Sequence, residues 1–174
     1  MNDTLKVLET RRSCRNFKPD MIPEETLEQI VRAGTYAPTG MGKQSPIILA
    51  VTNKELRDQF SEENRKIMGA PVGMDPLYGA PVILVVLANK AVPTHVYDGS
   101  LVMGNLMNAA YAVGVDSCWI HRAREVFDSE EGKELKKQWG VPEEYIGVGH
   151  CVLGYRDCEY PTAKPRKDGF VIRV

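Results

Sequence analysis

The run VILVVLA at residues 82–88 is the strongest strand signal in the chain. All seven of its residues are apolar and four are β-branched, which favours a strand over a short helix. A strand with one solvent-exposed face alternates apolar and polar residues, whereas a strand that is buried on both faces does not. The run therefore predicts a central strand in a sheet that is covered on both sides.

Further strands and several helices are predicted on either side of this run. The other predicted strands are residues 47–52, 117–120 and 146–155. The predicted helices are the first twelve residues, the segment between Pro23 and Pro38, and residues 53–68, 98–115 and 130–140. This order is typical of a layered α+β protein with one central sheet, and no repeat or long linker divides residues 1–174.

The helix predicted at residues 98–115 is apolar or small on almost every side. Asp98 or Ser100 is suited to cap its start, and Gly114 is suited to end it. A helix without a polar face must be buried, either in the core or against a second subunit. The short length of the chain favours the second alternative.

Composition narrows the classes of function. The chain has 174 residues, of which 43% are hydrophobic and 26% charged, and its net charge of −1 argues against nucleic acid or a membrane surface as a partner. We find no signal-peptide pattern and no apolar run of about 18 residues. The four cysteines and three histidines lack metal-ligand spacing. A cytoplasmic protein with reduced thiols and no metal is expected.

Two basic clusters contrast with this nearly neutral composition. RRSCRNF occupies residues 11–17, and AKPRKDG occupies residues 163–169. Guanidinium, ammonium and hydroxyl groups together are the donors that hold a phosphate dianion. From the residues alone, solvated surface patches remain the alternative. A nucleic-acid footprint is disfavoured, because acidic runs flank both clusters and no aromatic residues interleave them.

Four motifs occur in an order that resembles the FMN-dependent nitroreductase family. They are RRSCRNF, APTGMGKQSP at 37–46, the helix and strand at 98–120, and VGHCVLGY at 148–155 followed by KPRK at 164–167. The resemblance covers nearly the whole length. It implies an α+β three-layer sandwich with a mostly antiparallel central sheet flanked by helices. It also implies an intertwined homodimer that binds FMN at the subunit interface.

The resemblance also implies which residues hold FMN. Both basic clusters would converge on the phosphate and ribityl chain, through Arg11, Arg12, Ser13, Arg15, Lys164 and Arg166. An alternative for Arg12 places its backbone against the ring system. Cys14, between these residues, is expected to be a small hydrophobic filler, with a reactive thiolate as the alternative.

The loop at 37–46 would cover the flavin held by the other subunit. Its implied contacts are Pro38, Thr39, Gly40 and Gln44. Gly42 stands where the family often has Asn, so the ring edge would be bound by Gln44 or by Asn64. The terminal residues 170–174 would pair with the partner's sheet.

The segment WIHR at 119–122 is implied to pack along the flavin through Ile120, His121 and Arg122. A backbone N–H of His121 or of Arg122 would donate to flavin N5, and the two remain alternatives. His121 is a possible proton donor, although bordering the pocket is the preferred interpretation. No side chain is required as an obligatory acid or base.

The implied activity is a ping-pong oxidoreductase reaction. NADPH or NADH would deliver hydride to N5 of FMN, and a nitroaromatic, a quinone or a similar small electrophile would then be reduced. The loops at 36–44 and 66–79 would face this electron acceptor. A flavin-processing relative and a non-catalytic FMN-binding or storage module are the alternatives.

Overall fold

The computed structural model describes residues 2–174, and at its centre is a four-stranded antiparallel sheet. The strands are β1 (Pro46–Val51), β2 (Val82–Asn89), β3 (Asp116–Ile120) and β4 (Tyr145–Gly154). Their order is β1-β2-β4-β3, and each neighbouring pair is antiparallel. The predicted central strand is confirmed, because β2 lies between two neighbours and is buried over residues 82–88.

Helices cover both faces of this sheet. They are α1 (Asp3–Thr10), α2 (Glu24–Thr35), α3 (Lys54–Met68), α4 (His95–Ala112), α5 (Ala123–Asp128) and α6 (Glu130–Gln138). Ile30 of α2 and Leu106 of α4 pack on one face with alternate residues of β2. Phe60 of α3 and Phe127 of α5 pack on the other face. The three-layer α+β sandwich is therefore confirmed.

The prediction that Asp98 or Ser100 caps the long apolar helix is wrong. Helix α4 begins at His95, after Thr94, so both residues lie inside it. The Asp98 carboxylate is buried and accepts hydrogen bonds from the Gly40 N–H, at 2.9 Å, and from the Ser45 hydroxyl, at 3.0 Å. Asp98 thus joins the helix to the loop before β1 instead of capping the helix.

Two other predicted features differ at the ends of the chain. Residues 170–174, predicted to be β-like, form no strand within the described part of the chain, and their pairing with a partner subunit stays a prediction. Met1, the first residue of the predicted opening helix, lies outside the described residues. No helix found in residues 2–174 is both long and apolar enough to cross a bilayer.

A β-bulge in β4 decides which side chains face each layer. The register with β2 shifts between Val86 and Leu87, so β4 carries one extra residue there. Val148 and Gly149 consequently both face α4, since Gly99 of α4 approaches Val148, and Met103 approaches Gly149. His150 then faces α3, where its ring lies 5.8 Å from the ring of Phe60.

Candidate functional site

The first basic cluster is held against the edge strand β3. The Cys14 N–H donates to the Ser117 carbonyl at 3.0 Å, and Ser13 pairs with Ser117 in an isolated parallel bridge. Three residues further on, the Phe17 N–H donates to the Tyr78 carbonyl at 3.2 Å. These contacts place Arg15 between the end of β3 and the loop that precedes β2.

A cavity of about 190 Å³ opens at this point. Its lining residues come from the basic cluster, the end of α3, the loop before β2, and β3 with its following turn. They are Arg15, Met68, Met74, Pro76, Tyr78, Cys118, Trp119, Ile120, His121 and Arg122. The structure therefore brings together four of the predicted site residues: Arg15, Ile120, His121 and Arg122.

Arg11 and Ser13 lie near Cys118 in the cavity wall, where Arg11 contributes positive charge and Ser13 a hydroxyl group. Burial raises the pKa of the Cys118 thiol, while the charges of Arg15 and Arg11 and the nearby Ser13 hydroxyl oppose that rise. The Nη1 atom of Arg11 is buried and has no hydrogen-bond partner among the described residues. Within residues 2–174, neither Arg11 nor Arg15 forms an ion pair.

This donor set fits a bound anion. A buried guanidinium nitrogen without an acceptor is costly, because it loses its hydration without gaining a hydrogen bond. A phosphate oxygen would supply the missing acceptor through a charge-assisted hydrogen bond. The residues present are therefore compatible with the phosphate group of FMN.

Arg12 does not line the cavity, and its polar groups bind other parts of the chain. Its guanidinium donates to the carbonyls of Glu9, at 2.8 Å, and Arg11, at 2.6 Å. Its backbone N–H donates to the Tyr160 hydroxyl at 2.9 Å. Both the guanidinium and the backbone N–H of Arg12 therefore have hydrogen-bond acceptors within the chain.

The second basic cluster does not line the cavity in the single chain. Lys164 and Arg166 are exposed, and Arg166 donates to the Lys164 carbonyl at 2.7 Å. Their convergence on a phosphate with Arg11 and Arg15 stays a prediction.

The loop at 37–46 packs at the start of α4, and none of its residues lines the cavity. Thr39 accepts from the Gln44 N–H at 3.0 Å, and Gly40 is held by Asp98. Burial disfavours the charged Asp98 carboxylate, but hydrogen bonds from Gly40, Thr94 and Ser45 outweigh it and hold its pKa below the usual range. Pro38 and Gln44 are exposed, and their predicted contact with a partner's flavin stays a prediction.

Asn64 lies one helical turn before Met68, and its side chain is fully buried. Its Nδ2 donates to the Phe60 carbonyl at 2.8 Å, whereas its Oδ1 has no partner among the described residues. The contact of Asn64 with a flavin ring stays a prediction.

Asp75 is a positioning residue that sequence reasoning missed. Its carboxylate accepts from the Leu77 N–H at 2.9 Å, the Gly79 N–H at 2.7 Å, and from the Arg57 guanidinium. These bonds shape the turn that carries Pro76 and Tyr78 into the cavity wall. Nothing in a segment rich in glycine and proline singled out this carboxylate, because its side-chain partner Arg57 lies on α3 and approaches only in the folded chain.

The turn after β3 is tightly constrained. Arg122 has a left-handed backbone, with φ of 75°, which costs a non-glycine residue about 1–2 kcal/mol. Outside the sheet ladder, we find no backbone acceptor among the described residues for the N–H of His121 or Arg122. Helix α5 starts directly afterwards, and sequence analysis missed it because six residues are too few to show helical periodicity.

His150 lies behind this turn, fully buried against Phe60. Neither ring nitrogen makes a hydrogen bond of normal geometry to the described residues. Burial lowers the pKa of His150 to about 4, although the nearby backbone of His121 and Ile120 favours the protonated form. His150 is thus neutral at physiological pH.

This burial predicts a pH-dependent stability. The unfolded chain protonates His150 near its ordinary pKa of 6.5, while the folded chain does so only near 4, so stability falls as pH decreases through that window. We expect about 2 kcal/mol of unfolding free energy to be lost between about pH 7.5 and pH 5 from this group. Denaturant unfolding of the protein and of His150→Leu at both pH values measures it. Equal losses in the two proteins would contradict the assignment.

The chain is similar in sequence and in structure to known proteins over most of its length. The sequence model of the nitroreductase family matches residues 8–155. A solved nitroreductase with bound FMN from Bacteroides fragilis is 26% identical with a TM-score of 0.92, and one from Desulfitobacterium hafniense is 28% identical with a TM-score of 0.90. Each comparison covers 100% of both chains. An Archaeoglobus fulgidus relative, provisionally named NADH dehydrogenase/NAD(P)H nitroreductase, is 29% identical over 89% of this chain and 86% of its own.

Proposed function

The chain belongs to the nitroreductase family, and from that premise we propose that it is an FMN-dependent NAD(P)H oxidoreductase that reduces nitroaromatic compounds, quinones or similar electrophiles. The observation that carries the proposal is the cationic site around Arg11, Ser13 and Arg15, whose two arginines form no ion pair within residues 2–174, beside a cavity that also reaches His121. Solved relatives of the same fold are described with bound FMN, and the archaeal relative is named for NAD(P)H.

In this proposal, Arg11, Ser13 and Arg15 bind the phosphate, and Lys164 and Arg166 complete the shell. When bound, FMN supplies the hydride-transfer chemistry, so the protein provides orientation and local electrostatics. The left-handed turn at Arg122 presents the N–H groups of His121 and Arg122 to the cofactor. Ile120 and Tyr78 exclude water from the same cavity. His121 borders the cavity rather than serving as an obligatory acid.

The same proposal includes a homodimer. Leu5 and Leu8 of α1, together with Tyr97 and Leu101 of α4, are large apolar side chains that are 48–72% exposed. A groove of about 720 Å³ runs between α1, α2 and α4. Exposed large apolar side chains on two helices beside a groove are compatible with a protein interface. In the dimer, the loop at 37–46 and residues 170–174 would reach the partner, which accounts for their exposure in the single chain.

An anaerobic titration tests the enzymatic proposal. The purified protein, which is expected to be yellow and to sediment as a dimer, is mixed with NADPH while the visible absorption of oxidised flavin is followed. We expect the band to bleach rapidly and to recover when a quinone is added. A band that does not bleach would favour a storage module, and a band that is lost without recovery would favour a flavin-processing relative.

A further inference from the structure

Two cysteines that are far apart in sequence lie side by side next to the first basic cluster. The Sγ atoms of Cys14 and Cys158 are 3.8 Å apart. Cys14 is completely buried, whereas Cys158 is exposed. The pair therefore combines one thiol that small oxidants can reach with one that is sheltered directly behind it.

The backbone holds the two cysteines together. The Asp157 N–H donates to the Asn16 carbonyl at 2.9 Å, and the Asn16 side chain donates to the Asp157 carbonyl at 2.8 Å. Phe17 and Arg156 form an isolated antiparallel bridge. On the other side, the Tyr160 hydroxyl donates to the Thr10 carbonyl at 2.8 Å. These contacts hold the backbone on both sides of Cys158 next to the segment that contains Cys14.

We propose that Cys14 and Cys158 form a reversible intrachain disulfide when the protein meets a hydroperoxide. A disulfide bond is about 2.05 Å long, so side-chain rotation and a small backbone adjustment must bring the sulfurs roughly 2 Å closer. The other two cysteines, Cys118 and Cys151, are buried, so Cys158 is the exposed thiol that the first step requires.

The roles of the two thiols follow from their exposure. The Cys158 thiolate attacks one peroxide oxygen, the O–O bond breaks, and Cys158 becomes a sulfenic acid while an alcohol or water leaves. The Cys14 sulfur then attacks the Cys158 sulfur, and the Cys14 proton leaves with the hydroxyl group as water. Burial raises the pKa of Cys14 to about 11, which makes it a poor first nucleophile at neutral pH. Its role in the second step follows from its position 3.8 Å from the Cys158 sulfur. Two thiols are oxidised, one peroxide is reduced, and a dithiol reverses the reaction.

The disulfide has a consequence that rests on the proposed function. It would tie residues 155–160 covalently to the segment that contains Arg11 and Arg15. The tail that carries Lys164 and Arg166 starts immediately after this tie. Oxidation is therefore expected to slow the release of FMN by restricting the motion of that tail.

The experiment uses the purified holoprotein. It is treated with a small excess of hydrogen peroxide, quenched, unfolded, alkylated, and analysed by intact mass and non-reducing peptide mapping. We expect two of the four cysteines to resist alkylation. Peptide mapping should show one cross-linked pair, which contains Cys14 and Cys158. Reduction with dithiothreitol should restore all four thiols. Cys151→Ser, the matched control, should still form the bond, whereas Cys14→Ser should accumulate a dimedone-reactive sulfenic acid at Cys158.

Three results would overturn the proposal. All four thiols could still be alkylated after oxidation, or the only cross-link could join the Cys158 residues of two chains. Alternatively, Cys158 of the protein without substitutions could be oxidised to a sulfinic acid instead of forming the disulfide. These readouts do not depend on enzymatic turnover, so they separate failure of the disulfide from failure of the proposed function. FMN release is then followed by fluorescence in the oxidised and reduced proteins. A confirmed disulfide with equal release rates would overturn the link to cofactor retention.

Discussion

The Arg15→Ala protein is expected to bind FMN about 10- to 150-fold more weakly than the unaltered protein. Arg15 lines the cavity beside β3 and forms no ion pair within the described residues, so its guanidinium is available to a phosphate. A hydrogen bond to a charged group contributes about 1.5–3 kcal/mol, and each 1.4 kcal/mol corresponds to a tenfold change in affinity. Fluorescence titration of the apoprotein with FMN measures the loss directly.

Arg12→Ala is the matched control for this experiment. It removes the same side chain three residues earlier, but that guanidinium bonds to the carbonyls of Glu9 and Arg11. We expect its FMN affinity to change by less than about threefold, since no cavity contact is removed. Unchanged affinity in Arg15→Ala, or an equal loss in both variants, would show that the phosphate lies elsewhere.

The core of the fold is largely predictable because it depends on local hydrophobic pattern. VILVVLA has no polar alternation, and it is indeed the buried central strand. Asp98 is a residue whose role the local pattern does not predict. An aspartate before an apolar helical run has the pattern of a cap, and its actual role depends on Gly40 and Ser45, which approach only in the folded chain.

The site is less predictable than the fold, for a similar reason. The basic clusters suggested a phosphate, but only the resemblance to a family connected them with Ile120, His121 and Arg122. Pro76 and Tyr78 line the cavity because the Asp75 carboxylate holds their turn in place, and its partner Arg57 lies on α3. The position of His150 depends on a bulge in β4, and a bulge leaves almost no signal in a sequence that is apolar on both faces.

The Gly147→Ala protein is expected to lose about 3 kcal/mol or more of unfolding free energy. A Cβ atom at this position would lie 2.0 Å from the Ala123 carbonyl oxygen and 2.7 Å from the Arg124 nitrogen. Both are backbone atoms at the start of α5, so no side-chain rotation relieves the overlap, and the helix must move away from β4. That movement would also displace the turn at His121 and Arg122, so FMN affinity is expected to fall together with stability. Thermal and denaturant unfolding measure the first effect, and FMN titration of the folded fraction measures the second.

Gly140→Ala separates this steric effect from the loss of glycine's conformational freedom. Gly140 has φ of 66°, and nothing lies within 4 Å of the added Cβ. Its replacement should therefore cost only the roughly 1–2 kcal/mol of a left-handed alanine and leave FMN affinity unchanged. Equal losses in the two variants would contradict the steric argument, because Gly147 does not have the positive φ that makes alanine costly at Gly140. A larger loss at 147, with weakened FMN binding, would establish that the approach of α5 to β4 sets the position of the turn at His121 and Arg122 and that this turn contributes to FMN binding.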